Sequence, residues 1–156
     1  MATINATISV SSDITGYGTQ INNSMTMTKA GTVAGLEQAT GLVRKTLTSL
    51  NEVDLLVVGA GVVEDVTATK AAKLYIKNVN SDSSEFFTVG LGKSSGTSTK
   101  QAFAVSGDAN RCVELGRLYS GDWMIIPWVA ASDEHDVFVK PSVATTMVIE
   151  YMVFFE

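Results

Sequence analysis

The sequence predicts an all-β chain: an antiparallel β-sandwich, with the jelly roll as one form of it, preceded by an extended N-terminal arm. Three observations carry this. Residues 145–156, TTMVIEYMVFFE, alternate Met147, Ile149, Tyr151, Val153 and Phe155 with Thr146, Val148, Glu150, Met152 and Phe154. Such period-two alternation, rich in β-branched and aromatic residues, is the pattern of a strand. Further strand-sized segments recur at roughly ten-residue intervals between turn signals, as in antiparallel sandwiches. Helical periodicity is nearly absent, since only 32–40 and 62–72 could coil and neither has a clear cap and apolar stripe.

Taken in order, residues 4–10 and 24–29 alternate apolar and polar residues and read as short strands of the arm. Residues 42–47 and 52–58 are expected as strands joined through Ser49-Leu50-Asn51 as a hairpin. Gly59-Ala60-Gly61 ends the second of them. Residues 73–79, KLYIKNV, set Leu74 and Ile76 against Tyr75, Lys77 and Val79. Asn80-Ser81-Asp82-Ser83-Ser84 is a strong turn signal ahead of a strand at 86–91. Strands are further expected at 102–105, 111–115, 123–129 and 136–140, with 107–110, 119–122 and 131–135 as turns. Both faces of 146–155 are largely apolar, so this strand is expected centrally in a sheet or with its second face against another subunit.

Composition divides the chain into an arm, 1–40, and a sandwich domain, 41–156. Before Lys70 the only aromatic residue is Tyr17, and residues 1–28 carry one charge, Asp13. Large side chains supply most core burial, so the core is expected in the second half. A segment so poor in charge is unlike a free disordered tail. It reads either as an arm ordered against a neighbouring protein, with Ile4, Ile8, Tyr17, Met25 and Met27 as contacts, or as an ordinary edge hairpin.

Hydrophobic content of 46% over 156 residues supports one real core. A mean hydropathy of +0.21 with 17% charged residues leaves a surface short of charge, as in proteins buried in assemblies. A net charge of −5 argues against sequence-independent nucleic-acid binding, which needs a basic face. No stretch reaches the roughly 18 apolar residues of a membrane span. The N-terminal residues lack the basic and apolar regions of a signal peptide, so a soluble chain made in a cytoplasm is expected. The glycosylation sequons at Asn5 and Asn22 then carry no meaning.

The chemical motifs fail on context. Gly92-Lys93-Ser94 lacks the glycine of a phosphate loop, because position 87 is Phe87. Residues 92–96 fit G-x-S-x-G, and Asp133 and His135 follow, but no strand-to-helix turn is expected there. Gly59-Ala60-Gly61 lacks the third glycine of a dinucleotide fingerprint, with Glu64 in its place. Asp133-Glu134-His135-Asp136 has neither calcium-loop spacing nor enough imidazole or thiolate for zinc, and reads as the charged tip of a hairpin. Cys112, the only cysteine, and His135, the only histidine, make a poor nucleophile–base pair. No cofactor, metal or catalytic residue is expected. Trp123 and Trp128 differ by five positions and should face opposite ways, with Pro127 breaking the ladder between them. Either both pack in the core, or one fills it while the other meets a partner or ligand, an exposed Trp123 beside Tyr119 then being able to stack on a sugar.

Segments of the second half, LYIKN at 74–78, VGLG at 89–92, LYSGDWMIIPW at 118–128, VFVKPS at 137–142 and the apolar strand at 146–155, resemble the small β-sandwich virion proteins of tailed bacteriophages. The resemblance covers about half the chain and implies a non-enzymatic virion protein. A capsid decoration or cement protein on the head, contacting the major capsid protein, is the first expectation. A tail or fibre accessory and a carbohydrate-binding sandwich are the alternatives. Phe154 and Phe155 end the last strand on opposite faces, one of them without an evident core of its own, which points to a homo-oligomer; the resemblance favours a trimer.

Overall fold

The computed structural model describes residues 3–11, 20–28, 38–57, 71–92, 113–129 and 135–155. The chain divides into two compact units, residues 1–38 with 156, and residues 39–155. In the first, β1 (Thr3–Ser11) and β2 (Gln20–Thr28) form an antiparallel hairpin paired from Thr3↔Thr28 to Ser11↔Gln20 with no shift in register. Residues directly opposite share a face. One face therefore holds Thr3, Asn5, Thr7, Ser9 and Ser11 with Thr28, Thr26, Ser24, Asn22 and Gln20, and of these Asn5, Thr7, Ser9 and Ser24 are exposed.

The second unit is a sandwich of β4 (Val43–Leu47), β5 (Val53–Leu56), β6 (Ala71–Asn78), β7 (Phe86–Gly92), β8 (Val113–Tyr119), β9 (Trp123–Val129), β10 (Asp136–Pro141) and β11 (Met147–Phe155). One sheet runs β4-β11-β6-β9 and the other β5-β10-β7-β8, all pairs antiparallel. The two-residue strand β3 (Gln38–Ala39) lies beside β11 next to β4, where the Thr40 amide donates to Val153 O at 3.0 Å. Along the chain, β4 to β11 change sheet at every connection but one, the step from β7 to β8. That path is the jelly roll.

Alternation builds the core. Leu74 and Ile76 of β6, Phe87 and Val89 of β7, Val137 and Val139 of β10, and Met147, Ile149 and Val153 of β11 are fully buried in one cluster shared by the two sheets. Burying each such side chain contributes roughly 1.5–3 kcal/mol. The central place expected for 146–155 is observed, since β11 pairs with β4 on one side and β6 on the other.

Several local expectations change. Ser49-Leu50-Asn51 is no hairpin turn, because β4 and β5 belong to different sheets; the segment arches across the sandwich, with the Asn51 amide on Ser49 Oγ at 3.4 Å. Short polar connections serve arches and hairpins alike, so composition cannot separate them. Pro127 does not interrupt β9, whose register against β6 is continuous from Trp123 to Val129. β9 is an edge strand, where a missing N–H leaves no ladder bond unmade. Strand β8 runs on to Tyr119, and the turn follows it: Asp122 N donates to Tyr119 O at 2.9 Å, with Gly121 at φ 82°. The expected strand at 102–105 lies outside the described residues.

Candidate interaction surfaces

The sheets' outer faces carry the exposed aromatic residues. On the β4-β11-β6-β9 sheet, register sets Arg44, Glu150, Lys77 and Trp123 in one row across the four strands. Met152, Tyr75 and Ile125 form the next row. Leu74, Ile76 and Ile149 face the core, so these rows face outward. Tyr75 and Trp123 pack with ring centroids 6.3 Å apart, and Trp123 is 43% exposed. Arg44 Nε donates to Glu150 Oε1 at 2.5 Å, an exposed guanidinium reaching a carboxylate that is itself buried. Burial, and then the Glu150 charge, push the Tyr75 phenol above its ordinary pKa.

The β5-β10-β7-β8 sheet has its own cluster. Phe86 and Tyr119 are opposed in register with centroids 5.2 Å apart, and the Arg117 guanidinium lies 4.7 Å from the Phe86 centroid. Glu114 Oε1 is 4.0 Å from Arg117 Nε. Cation–π contact of this kind contributes roughly 0.5–1 kcal/mol at an exposed site. Nearby, Val113 and Leu115 are also exposed.

Tyr119 and Trp123 therefore form no single platform. The turn at 120–122 sends the strands that carry them to different sheets, and each ring joins the outer face of its own sheet. Trp128 is corrected as a partner contact: it is 4% exposed in the shared core, with Nε1 donating to His135 O at 2.8 Å. Phe154 is corrected likewise, being 6% exposed within its own chain. Ile4, Ile8, Met25 and Met27 occupy one face of the β1–β2 hairpin by register, and Tyr17 lies outside the described residues.

A polar clamp closes one end of the sandwich, and the sequence reading, which took 80–84 only as a turn, missed it. Asn78 is fully buried, and its Nδ2 donates to Leu118 O at 3.0 Å and Glu85 O at 3.3 Å. Its Oδ1 accepts from the Asn80 amide at 3.0 Å. Asn80 Oδ1 in turn accepts from Val148 N at 2.8 Å, and Ser120 Oγ donates to Asn80 O. The signal available was an Asn-x-Asn pair ending a strand, the residue type that bonds turn backbone. In the same turn Asp82 is held below the usual carboxylate range by the Ser84 hydroxyl and then by the Ser84 amide.

Asp136 is fully buried at the start of β10, so it is no part of a solvated hairpin tip; Asp133 and Glu134 lie outside the described residues. Cys112, Gly59-Ala60-Gly61 and residues 93–96 also lie outside them. Among the described residues no three His, Cys, Asp or Glu side chains gather as a metal site. The chain matches no protein-family model, no curated protein and no solved structure.

Proposed function

We propose that the chain is a non-enzymatic structural protein of a virion, a decoration protein on the outer surface of a capsid, working as a homo-oligomer with a trimer favoured. The observation that carries this reading is the jelly-roll path of β4 to β11, an architecture recurrent in viral capsid and lectin domains. Fold alone does not decide function. The resemblance of 74–78, 89–92, 118–128, 137–142 and 146–155 to tailed-phage virion proteins supports a virion use. The outer faces, with Trp123, Tyr75 and Arg44 on one and Tyr119, Phe86 and Arg117 on the other, have the residue types enriched at protein interfaces. Quantifying the chain in purified phage particles tests the reading. Hundreds of copies per particle support a head position, a handful moves it to the tail, and none refutes it.

Carbohydrate binding is the second reading, favoured by the exposed Trp123 and Tyr119 rings. Because the two rings occupy different faces, a sugar would use one of them. Titrating glycans while following tryptophan fluorescence distinguishes the cases, since only stacking on Trp123 perturbs an exposed indole directly.

A further inference from the structure

We infer that the β1–β2 hairpin is a self-assembly element, whose outer edges pair with the hairpin of a second copy of this chain. The inference rests on the homo-oligomer part of the reading above and does not depend on a capsid. Register places Ile4, Ala6, Ile8 and Val10 opposite Met27, Met25, Asn23 and Ile21 on one face, while the opposite face is entirely Thr, Ser, Asn and Gln. The hairpin is thus amphipathic. A sheet of only two strands is marginal in water, and this one is a sheet of two strands among the described residues.

Its edges point to the occupant. Sheet proteins protect exposed edge strands with charges, prolines, bulges or short length. Strands β1 and β2 have nine residues each, no charged residue, no proline and no register shift. Each of the sandwich's edge strands has at least one of these: β9 carries Pro127, β8 has a register shift with Glu114 and Arg117, β4 carries Arg44 and Lys45, and β5 is four residues long with Asp54. Among the described edge strands, such protection is missing at β1 and β2. On the edge strand β8 the exposed Val113 and Leu115 flank the charged Glu114. An uncharged, unbulged strand pair is best matched by a second copy of itself. Two such copies meet without like-charge repulsion, and edge pairing merges their apolar faces into one wider face.

Sedimentation velocity on the full chain across a concentration series tests this, with Ile8→Lys in β1 and Met25→Lys in β2. Exposed Thr46 of β4 supplies Thr46→Lys as a charge control on the sandwich. The strands β1 and β2 hold no aromatic residue, so fluorescence of Trp123 and Trp128 reports whether the sandwich stays folded. The expected result is a wild-type oligomer, unchanged by Thr46→Lys, whose half-association concentration rises at least about tenfold in both hairpin variants with native fluorescence. An oligomer that survives both hairpin variants overturns the hairpin proposal and leaves the homo-oligomer reading standing. A wild-type monomer throughout the series overturns both.

Discussion

The side-chain amide of Asn78, at the end of β6, donates to the main-chain carbonyl of Leu118 in β8 at 3.0 Å, and both residues are buried. The bond joins the two sheets across one end of the sandwich. Asn78 also bonds Glu85 O ahead of β7 and Asn80 N, so one side chain serves three main-chain groups. Replacing it with Ala strands those groups, each a loss of roughly 1–3 kcal/mol when buried and fully unmet. Partial rehydration at the sandwich end softens this, so Asn78→Ala is expected to destabilise by about 3 kcal/mol in urea unfolding. An effect within error of zero would mean that water meets these main-chain groups as well as the Asn78 side chain does.

The two tryptophans should behave oppositely. Trp128→Ala opens a cavity between the sheets and leaves His135 O without its indole donor, so a loss of about 3–5 kcal/mol is expected. Trp123→Ala should remain within about 1 kcal/mol of wild type, because its ring is half in solvent and packs on Tyr75 alone among the described rings. Iodide quenching in the native state should reach Trp123 and spare Trp128. Equal quenching of both indoles would contradict the packing of β9.

The turn after β8 gives a backbone test. Gly121 has φ 82°, and a Cβ there would meet nothing within 4 Å, so the strain in Gly121→Ala is conformational and not steric crowding. A loss of about 1 kcal/mol is expected, smaller for Gly121→Asn, as thermal unfolding would register.

Much of the sandwich is legible because period two survives burial. In β6, β10 and β11 the apolar positions of the sequence are the core positions of the structure, and Trp123 and Trp128 separate by parity alone. Connectivity is not legible in the same way. Nothing in Ser49-Leu50-Asn51 tells an arch from a hairpin, because sheet membership is decided by long-range pairing such as β4 with β11. The same limit made Tyr119 and Trp123 look like one site: they are near neighbours in sequence, and only the sheet change at 120–122 parts them. The Asn78 clamp was hidden for another reason, since a buried amide and a solvated turn amide have the same letter.

Tyr75 offers a pH test. Its phenol is raised by burial first and by the Glu150 carboxylate second, so the folded chain favours the protonated form more than the unfolded chain does. The unfolded phenol ionises first as pH rises past the ordinary tyrosine value of roughly 10, so stability present below that value is lost as pH climbs through the folded pKa. Tyr75→Phe should remove this part of the alkaline loss, and Glu150→Gln should lower the Tyr75 pKa without restoring the ordinary value. Phenolate absorbance titrations of the folded variants, read beside urea midpoints across the same alkaline range, check both. A Tyr75 that titrates normally would show that water reaches its hydroxyl freely.

Phe154 decides between two uses of the last strand. By parity it lies on the outer side of β11 with Val148, Glu150 and Met152, where a sequence reading leaves it for a partner subunit. Within the chain it is already 6% exposed, so a partner could cover little more of it. Its burial is a folding contribution. Phe154→Ala is therefore expected to lower unfolding stability by about 3 kcal/mol, at the lower end for buried Phe because it stands outside the cluster shared by the two sheets. Measured at one protein concentration above and one below the association midpoint, that loss should be the same. A loss that appears only in the associated state would return Phe154 to the interface, because a contact made solely between subunits stabilises in proportion to their occupancy.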